Sequence, residues 1–450
     1  MKIALAILLN AALLAVLLPW LRRQWTWAAG FGWRGVFAGG LVLRLGVALA
    51  RSLPLRLDAE FMSYVSQLVT ARLWAAPAGA WQLLTQAVTV FPTHLNHFGN
   101  IIYQNSSNTW TLIKLLALLN LASLEAGWLN ALYLSLFAFA GSWVLVRTLA
   151  QHLPGTPAGA GAVAFLLWPS VWFWASGISK EAVLLGSGAW LTGRVLTRLY
   201  EAAPVPERRL LAGGRWWLGT LALAGLHVAT RYFFAIPLLA VLVSLAVARG
   251  LERLGLGRRW AATAGLVLVL GTGGWLAPQL SVAFRANKFL NQVVRIYSAE
   301  ILTTAGRPHF EYEDLRPTPG SVAAHAPLAV ANCLARPWLG EARQPGMVAA
   351  GFENAALLLL LLAAFGAWLR GQGGRLPFGL GLGLAVLCLL LAFLIGLSTP
   401  NLGALHRYRT GLLPYLLLLL LQPVYAADAL RRLGLNGRPP APGAGLPPNA

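Results

Sequence analysis

Eleven runs of apolar residues, each close to the length a helix needs to cross a membrane, dominate this chain. They lie at about 3–20, 35–51, 127–147, 158–178, 182–198, 216–230, 232–248, 260–282, 352–370, 377–398 and 411–428. About 20 predominantly apolar residues carry a helix across the hydrocarbon core. The composition agrees: 58% of the 450 residues are hydrophobic, 11% are charged, and mean hydropathy is +0.64. Soluble globular domains carry far more charge. The expected fold is therefore all-α, a polytopic helical membrane protein of about 11 transmembrane helices.

A further apolar stretch, Thr111 to Leu124, is only about 14 residues long and contains Lys114, which favours an interfacial or re-entrant helix over a crossing. Charge placement supports that choice, because basic residues gather in cytoplasmic loops and each crossing flips the side. If 111–124 returns to its own side, Arg22, Arg23, Arg34, Arg147, Arg194 to Arg215, Arg249 to Arg259, Arg370, Arg375, Arg431, Arg432 and Arg438 all become cytoplasmic. The expected topology has the N-terminus out and the C-terminus in. The N-terminal run lacks a small-residue cleavage site and reads as a retained span.

Three parts follow: an extra N-terminal helix with its loop at 1–34, a membrane domain at 35–433, and a Pro/Gly-rich tail at 434–450 that reads as disordered. The membrane domain places two large segments outside, 52–126 and 283–351. Lys plus Arg exceed Asp plus Glu by 35 − 14 = 21. Because most of that excess is a topology signal, nucleic acid is not an expected partner. Cys333 and Cys388 are too few for a disulfide framework, and CxxC, HExxH and Walker-type motifs are absent.

Short outer loops normally avoid Lys and Arg, yet Lys180, Arg231 and the Arg407/Arg409 pair lie in them. Lys180 and Glu181 close an aromatic stretch that begins at Pro169. The lysine either snorkels and pairs with Glu181 or binds an anionic head group. Arg231 interrupts the apolar run Trp216 to Ala248, where two short helices must turn, and ionisable groups at that depth usually face a polar cavity. Arg336 adds a guanidinium on the same side. Guanidinium donors match phosphate oxygens, although Arg407 and Arg409 could equally terminate a helix.

Asp58 and Glu60 stand just past the second run. They read either as a general base with a possible divalent-cation ligand or as the cap and first turn of an interfacial helix. Tyr103 to Asn108 is a polar patch that could contact sugar hydroxyls or cap the next helix. His94 and His97 lack a third ligand and read as loop histidines. Glu311 to Asp314 reads as a solvated acidic face.

The Asp58/Glu60 pair ahead of Tyr64, the interfacial helix ending near Leu124-Glu125-Ala126-Gly127, the span closing on Arg147 and the Pro169-Ser170 span together resemble the GT-C superfamily of membrane glycosyltransferases. The chain departs from that pattern in spacing its carboxylates as Asp-x-Glu and in carrying an extra first span. Over most of its length it is also similar to an uncharacterised group of bacterial multi-pass membrane proteins. The shared stretches are Ser107-Asn108-Thr109, Phe173 to Glu181 and Asn401 to Arg409.

The GT-C resemblance implies a glycosyltransferase of the bacterial inner membrane that uses a polyprenyl-phosphate or polyprenyl-diphosphate glycolipid in cell-surface polysaccharide assembly. Asp58 would then be the catalytic base, assisted by Glu60. Asn108, Lys180, Glu181, Arg231, Arg336, Arg407 and Arg409 would form the substrate site. A polysaccharide polymerase or ligase, a lipid-linked oligosaccharide transporter and a non-catalytic subunit are the alternatives. Membrane lipids are the other expected partners, and oligomeric state is left open.

Overall fold

The structure is a computed structural model that describes residues 1–55, 58–86, 88–92, 100–104, 107–201, 209–304 and 306–437. In chain order the helices begin with α1 (Lys2–Phe31), α2 (Arg34–Ser52), α3 (Asp58–Ala75) and α4 (Pro77–Thr85). A short antiparallel hairpin follows, β1 (Val88–Pro92) with β2 (Asn100–Gln104), in which Val90 pairs with Ile102. Then come α5 (Asn108–Ser123), α6 (Gly127–His152), α7 (Ala158–Ala162), α8 (Pro169–Trp174), α9 (Lys180–Tyr200), α10 (Arg209–Arg253) and α11 (Arg258–Leu280). The chain closes with α12 (Ala286–Thr303), α13 (Pro319–Ala335), α14 (Pro345–Leu369), α15 (Phe378–Ser398), α16 (Leu402–Tyr408), α17 (Leu413–Leu420) and α18 (Val424–Arg432).

Seven helices among the described residues are long and apolar enough to cross a membrane: α1, α2, α6, α10, α11, α14 and α15. This is a multi-pass helical membrane protein. The other apolar runs depart from simple spans for local reasons. The run at 158–178 is broken at Trp168, because Pro169 drives the residue before it into extended backbone. Helix α9 is continuous over 21 residues, but Ser187, Thr192, three glycines and its charged residues dilute its apolar character. The last run is a bent pair, α17 and α18, turning by 98° ahead of Pro423.

Helix α10 is two helices joined at Arg231, whose φ of −158° and ψ of 92° are extended. The two halves run in opposite directions along α9. In the first, Trp216 lies by Arg194 and His227 by Gly188; in the second, Leu238 lies by Gly188 and Arg249 by Tyr200. Arg231 is therefore the tip of a helical hairpin, as the apolar pattern predicts.

Helix α5, roughly 24 Å long at 1.5 Å per residue, starts beside Lys180 and ends in a tight turn through Leu124 and Glu125, both left-handed at φ 53° and 68°. That turn leads into Gly127, which rests against Leu55 and Ser63. Both ends of α5 thus lie toward the side of the bundle that carries Lys180 and Asp58. Lys2 sits over the Trp74 ring near that face, 5.6 Å from its centroid. At the opposite face the Leu435 carbonyl accepts from Trp33 Nε1 at 2.9 Å, and Asn436 Oδ1 accepts from the Gly159 amide at 3.1 Å. The C-terminal segment is therefore packed as far as Gly437, beyond the boundary at 434 read from sequence; residues 438–450 lie outside the described ones.

Two polar groups, one buried and one partly buried, hold the broken helix in place. Arg44, fully buried, donates to the carbonyls of Phe165 (3.1 Å) and Ala175 (3.0 Å), on either side of the break. Glu353 accepts from Trp168 Nε1, from the Ser170 amide and from Ser170 Oγ. Such pairing is what allows irregular backbone at membrane depth.

Helices α6 and α9 approach through glycines: a Cβ at Gly141 would overlap the Gly186 carbonyl oxygen, which is backbone and cannot rotate away. Gly141→Ala is expected to cost about 1–3 kcal/mol by overpacking, read as a lower midpoint of thermal unfolding in detergent.

Candidate functional site

The site is built from six short stretches that the fold brings to one face. Its centre is Glu181, whose side chain is 1% exposed in the first turn of α9. Ser179 caps that helix through the Ala182 amide and so fixes where Glu181 points. The hairpin tip supplies Arg231, whose Nη2 donates to Glu181 Oε1 at 2.8 Å. Helix α16 supplies Arg407, with Nε 3.0 Å from Glu181 Oε2 and Nη1 donating to Asp58 Oδ2 at 3.2 Å. Asp58 opens α3, and its side chain is 74% exposed.

The result is a chain of alternating charge, Arg231, Glu181, Arg407, Asp58, running from the buried interior to the surface. Tyr408 stacks beneath the first member, 4.1 Å from the Arg231 guanidinium. Burial works against the Arg407 charge, but the Glu181 carboxylate, with Tyr408 and Asp58 after it, holds its pKa above the ordinary arginine value.

Lys180 borders this chain but is held by neutral oxygens: Nζ donates to Asn108 Oδ1 at 3.0 Å and to Thr109 Oγ1 at 2.7 Å. Arg51 completes the wall. It donates to the carbonyls of Phe173 (2.6 Å) and Ser176 (2.8 Å) and lies over the Phe173 and Trp174 rings. Four cations, Arg51, Lys180, Arg231 and Arg407, therefore meet two carboxylates, Asp58 and Glu181. Two positive charges remain in surplus, which suits an anionic ligand.

Of the residues singled out from sequence, Asp58, Asn108, Lys180, Glu181, Arg231 and Arg407 come together. Glu60 does not. Positions i and i+2 of a helix point to different sides, so with Asp58 turned to Arg407, Glu60 is exposed and outside the ion-pair chain. Among the described residues no group of three or more His, Cys, Asp or Glu side chains gathers around a metal position.

Arg409 and Arg336 also stand apart. Arg409 is fully buried and donates to the carbonyls of Cys333 (3.2 Å) and Arg336 (2.8 Å) and to Asn354 Oδ1 (2.7 Å), tying α13 and α14 to the end of α16. Arg336 pairs with Glu341 at 2.5 Å. His94 and His97 lie outside the described residues, as do Asn105 and Ser106.

Arg51, Thr109 and Tyr408 are site residues that the sequence reading did not single out. Neither was Glu353, although a carboxylate opening an apolar run is itself a signal of built-in polar contacts. His406 links Glu353 to the site: its Nδ1 accepts from Trp174 Nε1 at 3.1 Å, and its Nε2 lies 3.9 Å from Glu353 Oε2.

No family model matches the chain, and no match was found among curated proteins or solved structures.

Proposed function

We propose that this chain is a membrane glycosyltransferase that takes a sugar from a polyprenyl-phosphate carrier at the outer face of the bacterial inner membrane, in cell-surface glycan assembly. The observation that carries the reading is a surplus of two positive charges beside one exposed carboxylate, where the ends of several apolar helices meet. A lipid phosphate brings the negative charge that this surplus accommodates, and its polyprenyl chain would lie among the apolar helices.

In this mechanism the acceptor hydroxyl gives its proton to Asp58, and its oxygen attacks the anomeric carbon. The bond from that carbon to the phosphate oxygen breaks, and the electron pair leaves on the phosphate. Lys180, Arg231 and Arg407 stabilise that developing charge, often the largest single catalytic contribution. Phosphate is a competent leaving group, so no general acid is required. A phosphate that takes Arg407 Nη1 as its donor would also release Asp58 to act as base.

An arginine-centred polymerase or ligase is favoured by a different observation: two guanidinium groups share the buried Glu181, while Asp58 holds only the outer edge of Arg407. Removal of the Asp58 carboxylate separates the two readings.

Lys180 tests the phosphate reading first, because its hydrogen-bond partners are neutral and its loss strands no carboxylate. Lys180→Met is expected to weaken binding of polyprenyl phosphate to the purified protein in nanodiscs by about tenfold or more, with its melting temperature close to that of wild type. Unchanged binding by a folded variant would remove the lysine from the site and count against a phosphate ligand there.

A further inference from the structure

A cavity of about 340 Å³ opens at the end of the bundle opposite Glu181, where α9 and α10 end and α11 and α15 begin. Its size falls at the lower end of the range for small-molecule sites, about 300–1,000 Å³. Tyr200, Arg249, Glu252, Arg258, Arg375 and Phe378 are among its walls.

One arginine is accounted for: Arg249 pairs with Glu252 at 2.7 Å and lies over the Tyr200 ring at 4.3 Å. Arg258 and Arg375, both exposed, form no ion pair with a carboxylate among the described residues; Glu201 stands near the His152 wall, so the cavity keeps an excess of positive charge. Helices α11 and α15 also start there, behind Gly257 and Pro377, neither of which caps its helix with a side chain. The first amides of a helix without such a cap keep donors free and carry a partial positive charge.

From the cavity and its unmatched arginines we infer a second anion site on this face, for a phosphate-bearing group of diphosphate or glycerophosphate size. Arg258 and Arg375 are the ligand-binding cations, and Arg249, held by Glu252 and Tyr200, is the fixed wall. The site is independent of the transferase reading, since it lies at the other end of the helices that position Glu181.

Basic residues on one membrane face also arise from topology alone, so the test compares arginines inside the cavity with arginines outside it. The full-length protein in phosphatidylcholine nanodiscs is titrated with pyrophosphate, alongside the double variant Arg258→Gln/Arg375→Gln and a control, Arg370→Gln/Arg432→Gln. The expected result is binding by wild type and control and a loss of about tenfold or more in the cavity variant.

If the group is a lipid head group, pyrophosphate fails to bind. Native mass spectrometry of protein from phosphatidylglycerol-containing membranes then finds one retained lipid in wild type and control that the cavity variant lacks. Retention of neither ligand by wild type, or an equal loss in control and cavity variant, would overturn the site. Melting temperatures check folding, and Arg375→Gln alone is read the same way if the double variant does not fold.

Discussion

Replacing Glu181 with alanine is expected to destabilise the protein by about 3–5 kcal/mol, the range for removing one partner of a buried ion pair. The carboxylate is 1% exposed and is approached by two guanidinium groups, Arg231 at 2.8 Å and Arg407 at 3.0 Å. Deleting it leaves Arg231 without a counter-charge and Arg407 with only the exposed Asp58, while the two guanidinium groups repel each other. The hairpin tip of α10 and the short helix α16 then lose the group that holds them together. Glu181→Gln keeps the shape and one acceptor, so its loss should be smaller. Thermal unfolding of the two purified variants in the same detergent checks the order. A Glu181→Ala midpoint equal to wild type would mean that the ion-pair chain does not organise this face.

Asp58→Asn should behave in the opposite way. Its side chain is 74% exposed and, among the described residues, forms an ion pair with Arg407 alone, so folding should be nearly unaffected, as is usual for exposed ion pairs. Activity should fall by about 10²–10⁴-fold, the contribution of a positioned general base. An assay of sugar transfer from a polyprenyl-phosphate donor, made on protein with an unchanged melting temperature, separates this from a structural effect. An arginine-centred enzyme would instead keep much of its rate in Asp58→Asn and lose it in Arg407→Gln.

The parts of this site visible in the sequence were those where charge broke a rule. Arg231 interrupts an apolar run, and Lys180 and Arg407 occupy short loops that seldom carry cations, so each stood out. The helical hairpin at Arg231 followed from the length of the apolar run and the cation that interrupts it. What was not legible depended on direction and packing. Asp58 and Glu60 looked like a pair in one dimension and diverge once α3 forms. Arg407 and Arg409 also sit two positions apart: one reaches Glu181, while the other turns to the carbonyls of Cys333 and Arg336.

Helix α13 was not expected at all, because Pro327 and His325 break up its apolar run and it is only 17 residues long. Its place is set by packing on α15, where Gly396 meets Ala329. The short β1–β2 hairpin is a local exception in a fold that is all-helical as expected, and the sequence reading had not marked it. The broken span at Trp168 was hidden because hydropathy registers the apolar run and not the two polar side chains, buried Arg44 and partly buried Glu353, that make the break tolerable.

The central claim is that the Asp58, Lys180, Arg231 and Arg407 face transfers a sugar from a lipid carrier. Its most direct test is to delete the gene, profile lipid-linked and surface glycans by mass spectrometry, and complement with wild type or with equally expressed Asp58→Asn. The account predicts a truncated lipid-linked glycan that accumulates in the deletion, disappears with wild type and persists with Asp58→Asn. An unchanged glycan profile, or full rescue by Asp58→Asn, would contradict it.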